Sequence, residues 1–348
     1  MAKKKKKKRG PNLLEWAPTR ICIELWMRWT AFWLTIFGWR WAYFWARWIA
    51  RVGWLLMGKL RGYALRNVDL CLPHLPKAER TRIARESFKH NVYQFMDYLL
   101  IPRYFTPGKH SPYFHSDVDE QEFLDWYRKP EAVFNLTAHL GNFEIVTFNI
   151  GRSPDHLPFT LIAKPVRPPL LDHWLVRARS ALGNECVKAD EGGRTYMRAI
   201  KEKRQIGTLV DQNGGDWAPI ETFFGVPCTW QADWTRLVKR SGLSVCYHAC
   251  VREGDRFSFK FLPPVYHKYD KDVDPMQVIR DYRDWVESVV SAHPEQYFWV
   301  HRRFKAKKDG WPNRYKNLGE RLTPESRAAM LNIPGFVIPG TDPDVPAR

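Results

Sequence analysis

AVFNLTAHLGNFE, residues 132–144, follows the charged, breaker-containing run WYRKPE. Its first half, AVFNLTA (132–138), is an apolar run of the length a short buried strand needs. A His, a Gly-Asn pair and a carboxylate five positions beyond the His come next. Positions five apart on a regular helix point about 140° away from one another. His139 and Glu144 therefore meet only if His139 ends the strand and a helix starts around Gly141-Asn142, with Glu144 in its first turn. Gly141 permits a tight turn and Asn142 suits a helix start. In that geometry the carboxylate takes the Nδ1 proton, fixes the tautomer and leaves Nε2 to act as a base. Helix N-terminal dipoles nearby disfavour the imidazolium and oppose the carboxylate's upward pull. The spacing alone also fits a capped helix start with a surface His and a routine first-turn acid.

The same grammar recurs downstream. FTLIAK (159–164) and QIGTLVD (205–211) read as strands, and LLDHWLVRARSAL, GGRTYMRAIKEK and WQADWTRLVKRSG read as helices, the last stopped by Gly242. LSVCYHACVR and FSFKFLPPV read as further strands, and DPMQVIRDYRDWVESVVSA as a final helix before YFWVH (297–301). Strands alternating with helices predict an α/β domain, a mainly parallel sheet flanked by helices. His139 then lies outside the carboxyl end of a strand, where such sheets place ligands. The expected organisation is a basic tail (1–20), a membrane-anchoring helix (21–57), a helical segment (58–130), the α/β core (131–316) and a C-terminal tail (317–348).

The 348 residues carry 55 Lys and Arg against 37 Asp and Glu, a formal charge of +18, and 45% are hydrophobic. That composition buries a substantial core, excludes wholesale disorder and favours anionic partners. Six Lys occupy positions 3–8, and Ile21 to Met57 is crowded with Trp, Phe, Ile and Leu. This stretch is too long for a secretory signal, and Arg28 and Arg40 bracket an uncharged run well short of the ~18–20 apolar residues of a membrane span. On a helix, Arg40, Arg47 and Arg51 fall within about 40° of one another. A basic stripe opposite a Trp/Phe/Ile face describes an amphipathic helix in the membrane interface, with the Lys tail as a second anchor to anionic lipid. The other reading is a helix packed on its own domain. The six Cys (22, 71, 186, 228, 246 and 250) form no C-x-x-C pair and read as buried free thiols, not metal ligands.

HLGNFE resembles the H-x-x-x-x-(D/E) signature of glycerolipid acyltransferases. Its H-x-G-N-(F/W)-E form marks the lipid A biosynthesis acyltransferases, the lauroyl and myristoyl transferases of Gram-negative inner membranes. VDQNGG (210–215) with TFFGVP (222–227) is similar to that family's second block, and HPEQYFWVHRRFK (293–305) to its C-terminal signature. LRNVDLCLPHLPKAERTRIARESF (65–88) matches its N-terminal helical segment, so four ordered blocks carry the resemblance from about residue 20 to 316. The oligo-Lys terminus and the 17 Trp depart from the family pattern.

The resemblance implies a glycerolipid-acyltransferase-like fold and a membrane-associated O-acyltransferase. An acyl chain would pass from acyl carrier protein, or acyl-CoA, to a hydroxyl of a lipid A precursor or related glycolipid or lysolipid. Lysophospholipids and aminolipids are alternative acceptors. His139 would be the base and Glu144 its partner; neither metal nor cofactor is implied, and the thioester needs no covalent enzyme intermediate. Asn142, backbone amides after His139, or an Arg would hold the oxyanion. Arg179 sits where the family tends to carry a functional Arg, with Arg177 competing. Asp211, Gln212, Gly225, Arg302 and Arg303 complete the substrate-binding set. Residues 211–215 (DQNGG) read either as an anion-binding Gly turn or as plain turn formers, and HRRFK (301–305) as a phosphate reader or a basic rim. The implied location is the inner membrane, with the catalytic domain on its cytoplasmic side. The rival from another class is a basic, aromatic nucleic-acid-binding protein, which needs aromatics interleaved with cations over a folded groove.

Overall fold

The computed structural model describes residues 17–334 and 336, apart from 106–110, 120–121, 123–124, 126–131, 147–158, 166–168, 181–183, 189–191 and 306–307. The oligo-Lys tail lies outside the described residues.

Three helices open the chain: α1 (Ala17–Leu56), α2 (Gly58–Cys71) and α3 (Lys77–Tyr104). After β1 (Phe114–Ser116) the α/β alternation begins with β2 (Val133–Thr137), β3 (Phe159–Ala163), α4 (Pro169–Ser180), β4 (Glu185–Lys188), α5 (Gly192–Lys201) and β5 (Gln205–Leu209). A hairpin of β6 (Ile220–Phe223) and β7 (Val226–Thr229) leads to α6 (Asp233–Ser241). Then come β8 (Ser244–Tyr247), β9 (Cys250–Arg252), β10 (Phe259–Phe261), β11 (Val265–Lys268), α7 (Pro275–Ala292) and α8 (Pro324–Leu331).

Six strands form the largest sheet in the order β11-β8-β2-β5-β3-β4. β2 runs parallel to both β5 and β8, and β3 parallel to both β5 and β4, while β11 is antiparallel to β8. β10 pairs antiparallel with β9, as β6 does with β7. The α/β expectation therefore stands as mixed sheets, correcting the mainly parallel one. Two predicted strands each break in two: Tyr247 ends β8 before β9, and Pro263-Pro264, which can donate no ladder hydrogen bonds, separates β10 from β11.

β2 is buried along its whole length and alternates between two cores. Phe134 and Leu136 join Val245 and Tyr247 of β8 against Trp234, Val278, Tyr282 and Val286 of α6 and α7. Val133, Phe159 and Leu161 face the opposite way, toward α1 and α3. Helices thus cover both faces of the parallel run, as its apolar strands require.

The Trp-rich stretch folds as α1, with one face packed on the rest of the chain and the others exposed. Met27, Leu34, Ala42, Tyr43, Ala46 and Ala50 are buried, at spacings that keep them on one face. Ile21, Leu25, Trp29, Phe32, Ile36, Phe44, Trp48 and Val52 are exposed on the others. Arg40 and Arg51 are exposed, their guanidinium carbons 5.6 and 5.3 Å from the ring centres of Trp39 and Trp48, while Arg47 is half-buried. α1 kinks at Gly38 (φ 71°), and α3 holds the kink: Trp39 N donates to Tyr104 Oη (3.3 Å) and Arg103 Nη1 donates to Leu34 O (2.8 Å). Among the described residues no helix is long and apolar enough to cross a membrane.

The C-terminal stretch read as a turn and loose tail contains α8, closed by a Thr323–Ser326 capping box and tied to α2 by Arg327 Nε donating to Leu70 O (2.9 Å). Of the cysteines, Cys71, Cys228, Cys246 and Cys250 are buried as expected, while Cys22 is exposed and Cys186 half-buried.

Candidate active site

Parallel pairing puts Thr137 of β2 opposite Leu209 of β5. Two residues further along each chain stand His139 and Asp211, side by side at the carboxyl edge of the sheet. Asp211, 1% exposed, grips His139 twice: Oδ2 accepts from the backbone N (3.0 Å) and Oδ1 lies 2.6 Å from Nδ1. Burial pushes the Asp211 carboxyl up, but the His139 ring and amide, with Arg303 behind them, outweigh it and hold it below the usual carboxylate range. A carboxylate on Nδ1 makes that nitrogen the protonated one. Nε2 is left as an acceptor, and Gln212 Nε2 donates to it at 3.0 Å.

The turn after His139 is wedged in place. Gly141 adopts φ +58°, and a Cβ there would come within 2.1 Å of Cys250 O, so the tight turn accepts glycine alone. Leu140 N, Gly141 N and Asn142 N donate to Ala138 O (2.7 Å), Gln296 O (3.1 Å) and Cys250 O (2.9 Å). The expectation that these amides await an oxyanion is corrected: the turn spends them on its own seating. Asn142 caps the helical backbone that starts at Ile145, its Oδ1 accepting from Glu144 N (3.2 Å). Its Nδ2 donates to Asp97 Oδ2 (2.6 Å), which also pairs with Arg252 and accepts at Oδ1 from Tyr43 Oη of α1 (2.6 Å). Asn142 is therefore a buried brace and does not line the cavity beside His139.

His139 lies outside the helix, as the sequence requires, and its ring nitrogens contact Asp211 and Gln212. Arg179 of α4 forks the Glu144 carboxylate, Nη2 to Oε1 at 2.6 Å and Nε to both oxygens at 3.1 Å, and Tyr98 Oη adds a bond of 3.0 Å. Both charges are nearly buried, and a buried carboxylate demands such compensation. The carboxylate in contact with Nδ1 is that of Asp211, while Glu144, the partner expected from the spacing, pairs with Arg179; Arg177 is exposed.

A water-sized cavity of about 10 Å³ opens beside the imidazole, lined by Asn67, His139, Asp211, Gln212, His301 and Arg303 with Tyr297, Phe298 and Trp299. Arg303 is 3% exposed; Nη1 donates to Thr229 O (2.6 Å) and the guanidinium carbon stands 4.3 Å from the Trp230 ring centre. Its Nε and Nη2, and His301 Nε2, are buried without hydrogen-bond partners among the described residues. Burial, then the neighbouring His139 ring, lowers His301 to a pKa of about 3, so the ring is neutral. His301 and Asn67 escaped the sequence reading, although both sit inside quoted blocks. Asn67 Nδ2 pins the loop by donating to Trp299 O and His301 O, both at 2.6 Å.

The other expected residues lie around this centre. Arg302 is exposed and stacks on Tyr63 of α2 (5.6 Å). Gly225 (φ +70°), with Phe224 (φ 51°), makes the two-residue turn of the β6–β7 hairpin. In DQNGG, Gly214 N and Gly215 N donate to Thr229 O (3.2 Å) and Asn213 Oδ1 (3.1 Å), so this turn presents Asp211 and Gln212 and keeps its glycine amides to itself. No three His, Cys, Asp or Glu side chains gather as metal ligands among the described residues.

The helix-covered α/β sheet thus carries a His–Asp pair at its carboxyl edge. The profile of the bacterial lipid A biosynthesis acyltransferases matches residues 19–306. The lipid A biosynthesis lauroyltransferase of Escherichia coli (strain K12) is 22% identical over 260 residues, 72% of this chain and 80% of the relative. A lipid A biosynthesis acyltransferase of Haemophilus influenzae is 24% identical over 267 residues (74% and 83%), and the palmitoleoyltransferase of E. coli K12 23% over 262 (72% and 81%). The chain belongs to the bacterial lipid A biosynthesis acyltransferase family and is an acyltransferase.

Proposed function

We propose that this enzyme transfers a fatty acyl chain from the thioester of acyl carrier protein, or acyl-CoA, to a hydroxyl of a lipid A precursor or related glycolipid or lysolipid. The observation that carries the catalytic reading is the 2.6 Å contact between His139 Nδ1 and Asp211. Asp211 holds the proton on Nδ1, so Nε2 faces the acceptor as a base. The incoming hydroxyl displaces the Gln212 amide from Nε2 and gives its proton to the ring as its oxygen attacks the thioester carbonyl. The tetrahedral intermediate then expels the thiolate, which recovers that proton from His139, leaving an ester and a thiol. Gln212 Nε2, displaced but still beside the base, and Arg303 Nε and Nη2, without hydrogen-bond partners among the described residues, are the donors suited to the oxyanion. Arg303 also helps keep Asp211 ionised. Glu144 and Arg179 brace the turn from behind.

The apolar outer face of α1 supports an interfacial anchor on the cytoplasmic side of the inner membrane. Exposed Trp and Phe with Arg40 and Arg51 among them match the aromatic and cationic preferences of that layer. An acidic carrier protein and a phosphorylated acceptor both suit the +18 charge. The test is a mass-spectrometric comparison of total lipids from cells carrying the wild-type or the His139→Ala protein. A lipid short of one fatty ester in the variant is expected; identical lipids would refute the proposal.

A further inference from the structure

Trp217 is 99% exposed, on the turn joining β5 to β6 five residues beyond Gln212. The turn that carries it is firmly held. Gly214 N donates to Thr229 O (3.2 Å), Trp230 N to Pro219 O (3.0 Å), and Lys308 Nζ to Ala218 O (3.3 Å). A Cβ at Gly214 would stand 2.3 Å from Trp230 O, so the backbone is packed tightly at that point. A braced turn thus presents a whole indole to solvent at the edge of the site.

Cations line the same edge of the site. Lys164 directly follows β3 at the same sheet edge, and Arg302 and Lys305 flank the buried Arg303; all three are exposed. Burial, then Arg302 and Lys164, lower the Lys305 ammonium from its usual value, while Asp216, next to Trp217, opposes them. Arg302 stacks on Tyr63, about one and a half turns into α2, and α2 starts just after Leu55, Leu56 and Met57 at the end of α1 (70%, 79% and 51% exposed). Through α2, this cationic rim is therefore tied to the exposed apolar C-terminal end of α1.

We propose that the rim of the site is itself a lipid-contacting surface, with Trp217 entering the interfacial layer of an anionic bilayer and Lys164, Arg302 and Lys305 lying on its headgroups. The inference rests on the interfacial reading of α1 and extends it to the mouth of the site, so that an acceptor reaches His139 from within the membrane plane. Indole rings prefer this layer, and clustered Lys and Arg bind anionic headgroups. An acidic carrier protein would also draw the cations. Continuity with the apolar row of α1 favours the bilayer.

The test attaches an environment-sensitive fluorophore to the full chain at Trp217→Cys or, as a control on α1, at Phe32→Cys, each in a Cys22→Ser/Cys186→Ser background. Vesicles of phosphatidylglycerol and phosphatidylethanolamine carry a quencher on their acyl chains. Blue shift and quenching at both positions are expected, and the unlabelled Trp217→Ser protein should bind these vesicles several-fold more weakly than wild type. Quenching at position 32 alone would overturn the proposal and leave the α1 anchor standing, whereas quenching at neither would overturn both. A probe at 217 that responds to added acyl carrier protein but not to vesicles would assign the rim to the carrier and refute the lipid contact. Unchanged vesicle binding by Trp217→Ser would refute it as well.

Discussion

At His139 the orienting acid is chosen by strand register. A carboxylate five residues along the chain is near in sequence, but one two residues past the neighbouring parallel strand is nearer in space. Asp211→Asn is expected to lower kcat about 10²–10⁴-fold, the range of general-base assistance, with KM nearly unchanged; initial rates of acyl transfer measure this. Glu144→Ala leaves the Arg179 guanidinium buried without its carboxylate and is expected to cost about 3–5 kcal/mol of stability. Chemical denaturation reads that loss, which separates a brace from an orienting acid. The sequence could name His139, Asp211, Gln212 and Arg303 because each sits in a distinctive block. It could not show which acid reaches Nδ1, because that contact runs between strands 72 positions apart.

Among the elements, α1 shows how composition under-determines placement. Its aromatic crowding was legible, but the division into a face packed on α3 and an open face was not, since both are apolar. The Gly38 kink depends on α3 as well: Tyr104 and Arg103 take up backbone groups at the bend. Gly38→Ala is expected to destabilise the fold by about 1–3 kcal/mol, because φ 71° is costly for alanine and the new Cβ would lie 2.6 Å from Tyr104 Oη. In Tyr104→Phe the clashing hydroxyl is gone, so the two changes together should cost less than the sum of their separate effects in thermal melts. Strand and helix positions in the α/β part were readable from apolar runs and breakers. The splitting of β8 from β9 and the antiparallel edges were not, because pairing direction depends on which strands come to lie side by side.

Over the whole molecule, buried imidazoles contribute to the loss of stability in acid. His301 titrates at about 3 and His248 at about 4 in the fold, both lowered by burial, against about 6.5 in an unfolded chain. The unfolded state therefore binds more protons as pH falls below about 6.5, and stability full above that value drains away toward pH 3–4. The depressed carboxyl of Asp211 adds a loss at still lower pH, beginning below about 3.9. Melting temperatures are expected to be level from pH 7 to 8 and to drop from 6 to 4; His301→Asn should flatten part of that drop, as calorimetry would show. By itself the sequence determined the α/β class, the aromatic, basic character of α1, the family and the blocks that hold the candidate site, because these depend on residue type and short-range period. Only the tertiary structure decided that Asp211 contacts His139 while Glu144 pairs with Arg179, and that α1 is half packed and half open. Such assignments depend on contacts across the sheet and between helices, which local spacing does not encode.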